Sequence, residues 1–567
     1  MKRTLSTQKR NTIARIKVRK VCLFALILAC LSSVFTPAVA APPAQDVQIT
    51  LPAFNVTFNG TKVDSLNREY PLIVYKGITY FPMTYYDCRY LGLQTKWTSQ
   101  TGLEINSTGV SGLYRDYKRD SENARNYAAS IVSTAVRLNG TLIDKSKEEY
   151  PLLLFRGLTY FPMTWRFCVD EFGWGYTFNA YDGLRITSTN PAATTINIPL
   201  PTEYNEMTVD SISLIVSGDS YYISDSDDGA IYKGSLANPA ARRAVYQLTA
   251  DSKHVWGYLP VDFTMNNNKV CLYYYSRAGG IAGAVRFNDD GTWEEILPGW
   301  EYYGDVSIGV EYGYSPEANN LYIRRGAADP ARVGDPGYIY GWKWKTSAYG
   351  DGGSTSDDLY LVNDDIYVLA FDKVKNNGTT GIYRVNTKTN ATTRVVDAEV
   401  FTFVIENETI YYVDQADHRI YKVAIAGGAP TPMTAAYSEG SSVHFLSEIN
   451  YLSDMQVLNG KVYYMTETYG PPPDNVSTYN LNRTGDNESI NPGASVRGIQ
   501  LIDGYIVATF NSADGSLYRL MVFNAAGDVV YKTSDQVILS TVTVDNDRLY
   551  YVDSETRLVG MVVLTTK

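Results

Sequence analysis

Two repeats of different kinds predict a multidomain chain: two small α+β modules followed by an all-β propeller. The first repeat is short and strict. "GITYFPMTYYDC", Gly77 to Cys88, returns as "GLTYFPMTWRFC", Gly157 to Cys168, with eight of twelve positions identical. The second is longer and looser. Aromatic-rich strands begin near residues 221, 271, 321, 366, 410, 462, 505 and 549. Their spacing of about 43–51 residues fits four-stranded propeller blades. Composition agrees: 47 Tyr among 567 residues suits strands and half-wet surfaces.

The chain opens with eight Lys and Arg and no acid in its first forty residues, followed by "VCLFALILACLSSVF" and "TPAVAAPP". A basic start, a short apolar run and an A-x-A site predict a secretory signal peptide over 1–40. The run is short for a membrane span, and no later segment reads as one. A lipid anchor at Cys30 is the alternative. Without residues 1–40 the chain keeps 42 basic and 60 acidic residues, a net charge of −18. That excludes nucleic acid and anionic lipid as expected partners. Three cysteines then remain, an odd number that gives no complete disulfide framework.

The first repeat extends over two modules, 48–108 and 134–190, joined by a linker at 109–133. Asn59-Gly60 matches Asn139-Gly140, and Tyr70-Pro71 matches Tyr150-Pro151. Each copy reads as a strand, a turn, a hairpin through Lys76-Gly77 or Arg156-Gly157, a short helix and returning strands. Thr84 and Thr164 are the expected helix caps, with Gly92 and Gly173 as stops. Cys88 and Cys168 are expected in the core under their helices; a disulfide between them is the other reading, and metal ligation lacks a neighbouring ligand.

This pattern resembles the copper amine oxidase N-terminal-like domain, through Asn59-Gly60, Gly77 to Met83, Leu91-Gly92 and Trp97, and again through Asn139-Gly140, Gly157 to Met163 and Gly173. Thr84 and Thr164 stand where that family usually has Arg. The resemblance implies a structural or wall-associated module. It implies no amine oxidation, because the only histidines, His254, His418 and His444, lie outside both copies.

After "NPAATT", residues 195–567 read as the propeller. The last unit ends without an outermost strand, and "TINIPLP", 195–201, is expected to supply it and close the ring. Eight blades are expected, seven being the alternative. "IYYVDQADHRIYKVAIAGG", from Ile410, and "LYYVDSETRL", from Leu549, resemble the blades of low-density lipoprotein receptor YWTD-type propellers. That resemblance implies a binding scaffold, and fold alone fixes no function.

No linear catalytic motif occurs. The three histidines fall in different units, and "DSDDG", Asp225 to Gly229, lacks the later acid of a calcium loop. "GWKWK" puts Trp342 and Trp344 on one strand face, a candidate sugar or peptide platform. "TYGPPPDN" puts Tyr469 beside a protruding loop. Trp342, Trp344 and Tyr469 are therefore the expected binding residues, with no catalytic residue, metal or cofactor. The expected function is a secreted, non-enzymatic binding protein whose partner is a cell-wall polymer, polysaccharide or protein. The alternatives are a carbohydrate-active lyase or hydrolase with its site in the propeller funnel, and an envelope sensor scaffold.

Overall fold

The structure is a computed structural model. It describes residues 46–201 and 212–564 except 255–256, 260, 278–280, 312–318, 346–351, 356–357, 375–379, 436–442, 446–454, 470–476, 487–488, 491–494 and 512–518. The signal-peptide region and Cys30 lie outside the described residues. No helix among the described residues is long and apolar enough to cross a membrane.

The N-terminal unit is built by interleaving the two sequence copies. Its first copy supplies β1 (Asp46–Thr50), β2 (Val56–Phe58), β3 (Thr61–Lys62), β4 (Ile73–Tyr75), β5 (Ile78–Pro82), helix α1 (Tyr85–Tyr90), β6 (Leu93–Thr98) and β7 (Gly102–Ser107). Then come β8 (Asn126–Ile131), β9 (Val136–Leu138), β10 (Thr141–Leu142), β11 (Leu153–Phe155), β12 (Leu158–Pro162), a π-helical turn (Arg166–Glu171), β13 (Gly175–Asn179) and β14 (Gly183–Thr187). Strand β8 falls within the stretch read as a linker, and it pairs along the whole of β1.

Both hairpins form as expected. Lys76 and Gly77, like Arg156 and Gly157, have two consecutive positive φ values, the signature of a type I′ turn. The hairpins then meet. β5 pairs antiparallel with β12 in the register Tyr80↔Pro162, Phe81↔Phe161, Pro82↔Tyr160, so the two "TYFP" stretches face each other about a local twofold. A six-stranded barrel, β1-β4-β5-β12-β11-β8, closes around them.

The remaining strands are exchanged. β9 of the second copy pairs parallel with β7 of the first, and β2 of the first pairs parallel with β14 of the second. These crossings require glycine. At Gly102 a Cβ would stand 2.1 Å from the Ala135 carbonyl oxygen, and at Gly183 2.0 Å from that of Asn55. One core serves both copies, joining Phe58, Phe81, Cys88, Phe161, Cys168 and Trp174. The Trp174 indole N–H donates to the Leu91 carbonyl across the copies at 2.9 Å.

The copies differ at their helices. Thr84 caps α1 by accepting from the Asp87 N–H at 3.2 Å, whereas the π-helical turn has no side-chain cap, so Thr164 does not fill that role. Cys88, Cys168 and Cys271 are free and buried. The disulfide weighed for Cys88 and Cys168 is absent: Cys88 donates its S–H to Met83 Sδ at 3.6 Å. Burial pushes the Cys168 thiol up to about 12, so it is inert as a thiolate.

Past a short connection, β15 (Thr194–Ile196) pairs with the last strand of the chain, Leu558–Val563. Between them the described residues form a β-propeller. Successive antiparallel sheets start at Leu214, Val261, Trp300, Leu359, Val400, Met455, Val496 and Thr543; they are numbered one to eight here. An apolar core fills the space between each sheet and the next, including sheet eight against sheet one. Sheet four carries an added strand, Tyr338–Tyr340, and sheet six a split one, Val443–Phe445 beside Met455–Leu458. The chain closes the ring by placing β15 outermost on sheet eight.

The N-terminal unit is seated on sheets seven and eight. Ser111 lies parallel to Thr533 at the outer edge of sheet seven, donating its N–H to Lys532 O at 3.0 Å and accepting from the Ser534 N–H at 3.1 Å. Beneath it, Arg89 reaches Asp535 at 3.1 Å, with both side chains nearly buried. Asp535 also accepts from the Leu113 N–H and from the Tyr551 hydroxyl at 2.7 Å.

Candidate functional site

The first strands of neighbouring sheets touch one another, in the runs eight–one–two, three–four and five–six–seven. They line the inner channel, because the later strands stack outward in order. What these strands carry therefore decides what the channel can do.

Sheets two to four present acids. Asp262 is the second residue of Val261–Asn266, Glu301 the second of Trp300–Tyr303, and Asp358 immediately precedes Leu359–Val362. Asp262 is exposed, and Glu301 and Asp358 are half-buried. Tyrosines bond this arc within sheet two and across sheets three to five. The Tyr275 hydroxyl donates to Asp262 Oδ2. Tyr303 donates across to the Leu359 carbonyl at 3.3 Å. Tyr360 donates onward to the Phe403 carbonyl at 3.3 Å, and Thr402 Oγ1 donates to Asp358 Oδ1 at 3.2 Å.

Burial and two acids act on Tyr360. Burial first, and then the charges of Asp358, Tyr303 and Glu301, hold its phenol well above the usual range. Burial also pushes Tyr303 up to about 12, with Glu301 adding to it. Both phenols are therefore neutral donors at ordinary pH. The acids form an arc rather than a cage: among the described residues no three His, Cys, Asp or Glu side chains are grouped to hold a metal ion. A small void of about 20 Å³ lies between sheets seven and eight, among Gly498, Gln500, Val507, Thr509, Leu539 and Val542.

The residues expected from sequence lie elsewhere. Trp342 is half-buried on a strand paired with Gly352–Thr355, and its indole N–H is buried without an acceptor. Trp344 shares that strand, but its side chain is not among those described. Tyr469 ends the strand Lys461–Tyr469 and stands opposite Ser477; its side chain and the Pro-rich loop lie outside the described residues. "DSDDG" is a hairpin turn held by its own hydrogen bonds, Asp225 accepting from the Asp227 N–H and Asp228 from the Ala230 N–H and the Tyr232 hydroxyl. His418 sits exposed in a hairpin turn with φ +53°.

Sequence reasoning missed the acidic arc because it followed the aromatic second strands of each unit. The available signal was an acid or phenol set one residue into the preceding strand: Val261-Asp262, Trp300-Glu301, Leu359-Tyr360.

No known family pattern matches the chain, and no curated protein matches it. Among solved structures it is similar to prolyl endopeptidases, at 11% identity and a TM-score of 0.35, over 57% of this chain and 49% of theirs. It is similar to a puromycin-hydrolysing peptidase of Mycobacterium tuberculosis, at 12% identity and a TM-score of 0.33, over 59% and 54%. BamB from Moraxella catarrhalis matches over 66% of this chain and 97% of its own, at 12% identity and a TM-score of 0.30. The chain spans about half the length of the peptidases it matches.

These comparisons correct the expectation of a non-enzymatic binding protein. The solved structures similar to this chain include peptidases. Scores this low carry no reaction or substrate over to this chain.

Proposed function

We propose that this protein is a carbohydrate-active hydrolase whose site is the acidic arc of the propeller channel. One observation carries the reading: Glu301 and Asp358 stand at the start of the first strands of sheets three and four, which touch each other, with Asp262 at the start of the first strand of sheet two. Glycoside cleavage uses paired carboxylates, one giving a proton to the leaving oxygen and one acting as base or nucleophile. Glu301 and Asp358 are assigned those two roles. The phenols of Tyr303 and Tyr360 donate to the Leu359 and Phe403 carbonyls and so hold sheets three to five together behind the two acids.

The eight sheets are read as eight blades of a YWTD-like propeller. The N-terminal unit is read as an intertwined pair of copper amine oxidase N-terminal-like copies, and the chain as an exported protein. The net charge of −18 without residues 1–40 suits a neutral glycan better than an anionic one.

The test is a panel of soluble polysaccharides incubated with the full chain, with products read by mass spectrometry. Shortened chains with ordinary reducing ends are expected for at least one polymer. Unsaturated ends would mean elimination rather than hydrolysis. No cleavage across the panel would overturn the reading.

A further inference from the structure

We infer that the N-terminal unit holds a second, non-catalytic glycan site, a cleft built for one face of a pyranose ring beneath Trp97. The cleft lies between β6, the segment Val132–Thr134 and the β11–β12 hairpin. It encloses about 450 Å³ and is lined by Trp97, Lys96, Thr95, Thr134, Thr159 and Leu154, among others.

Trp97 is 64% exposed on an edge strand. Its indole stands at a concave cleft rather than on open surface, and apolar concavities with a few polar groups are where small ligands bind. Its flat face suits the C–H face of a sugar, while its N–H serves a hydroxyl. The hydroxyls of Thr95, Ser133, Thr134 and Thr159 surround it, giving the few polar groups that orient a ligand in a mixed pocket. No acid lines the cleft, and Lys96 does, in a chain whose net charge is −10.

The cleft wall is a built feature. Lys145 Nζ donates to the carbonyls of Val132, Ser133 and Thr134 at 3.2, 2.7 and 2.9 Å, fixing the segment opposite the indole. The twofold repeats the platform as well. Phe178 occupies the position equivalent to Trp97 on the other edge strand, β13, where it is 56% exposed and packs edge-on to Phe54 at 5.1 Å. Each copy thus carries one exposed aromatic on an edge strand. The cleft is distinct from the channel, and the inference rests on the channel reading only for the choice of a polysaccharide.

The experiment measures binding of chitohexaose, cellohexaose and xylohexaose to the full chain by titration calorimetry. Wild type, Trp97→Ala, Phe178→Ala and Glu301→Gln are compared. At least one probe is expected to bind wild type. Trp97→Ala should weaken that binding tenfold or more, whereas Glu301→Gln should keep the Trp97-dependent component. Retained affinity in Trp97→Ala, or no binding of any probe to wild type, would overturn the inference. A shift in the melting temperature of Trp97→Ala large enough to account for the loss would also overturn it. Loss of cleavage in Glu301→Gln with this binding intact would separate the two sites.

Discussion

The Arg89–Asp535 pair shows at single-residue scale how the two parts of the chain are held together. Both groups are taken from water, and each is satisfied: Arg89 also donates to Ser534 Oγ at 2.8 Å, and Asp535 collects the Leu113 N–H and the Tyr551 hydroxyl. Removing one partner strands the other charge. Arg89→Ala is expected to cost about 3–5 kcal/mol, read as a lower denaturation midpoint. Burial, opposed by Arg89 and reinforced by Asp553, pushes the Asp535 carboxyl up to about 6 from 3.8. The folded state therefore binds a proton more readily than the unfolded chain. This group's contribution to stability is fully present below about pH 4 and is lost as pH rises through about 6. Wild type should thus lose melting temperature relative to Asp535→Asn between pH 4 and 6, and the gap should stay constant above that. Two flat, parallel profiles would contradict it.

At the scale of elements, the twice-written "TYFP" stretch is explained by where its copies go. They pair with each other at the centre of one barrel, Phe81 against Phe161. Phe81→Ala should cost about 3–5 kcal/mol by removing a buried ring common to both copies. Residues 46–108 and 126–190 produced as separate chains should each stay unfolded, since β2 and β9 find their parallel partners only in the other copy. Dispersed amide spectra from either piece alone would contradict this. Turn chemistry was legible in the sequence because Lys76-Gly77 and Arg156-Gly157 report on their own backbone. The exchange was not, because the parallel pairing of β7 with β9 is long-range and leaves no local periodicity. Tyrosine abundance has an element-scale cause too. Tyr221, Tyr274 and Tyr551 each lie over a glycine on the paired strand, Gly234, Gly283 and Gly560. A Cβ at Gly234 would stand 2.4 Å from the Tyr221 ring. Gly234→Val should cost about 1–3 kcal/mol by expelling that ring, measured by chemical denaturation.

At the scale of the whole molecule, a closed ring brings into one channel side chains that stand far apart in sequence. Asp262, Glu301 and Asp358 have no spacing that a motif search would find, and only the order of sheets two to four sets them at the starts of successive first strands. The closing strand was easier to foresee: the last unit lacks an outermost strand, and "TINIPLP", 195–201, was expected to supply it; the strand that pairs there is Thr194–Ile196. Trp342 and Trp344 attracted attention as a motif, yet they sit on a side hairpin paired with Gly352–Thr355. The central claim is that the acids of the channel break a glycosidic bond, and Glu301→Gln tests it most directly. On a polymer that wild type cleaves, the rate should fall about 100-fold or more, with the melting temperature unchanged. Cleavage by Glu301→Gln at the wild-type rate would contradict the account.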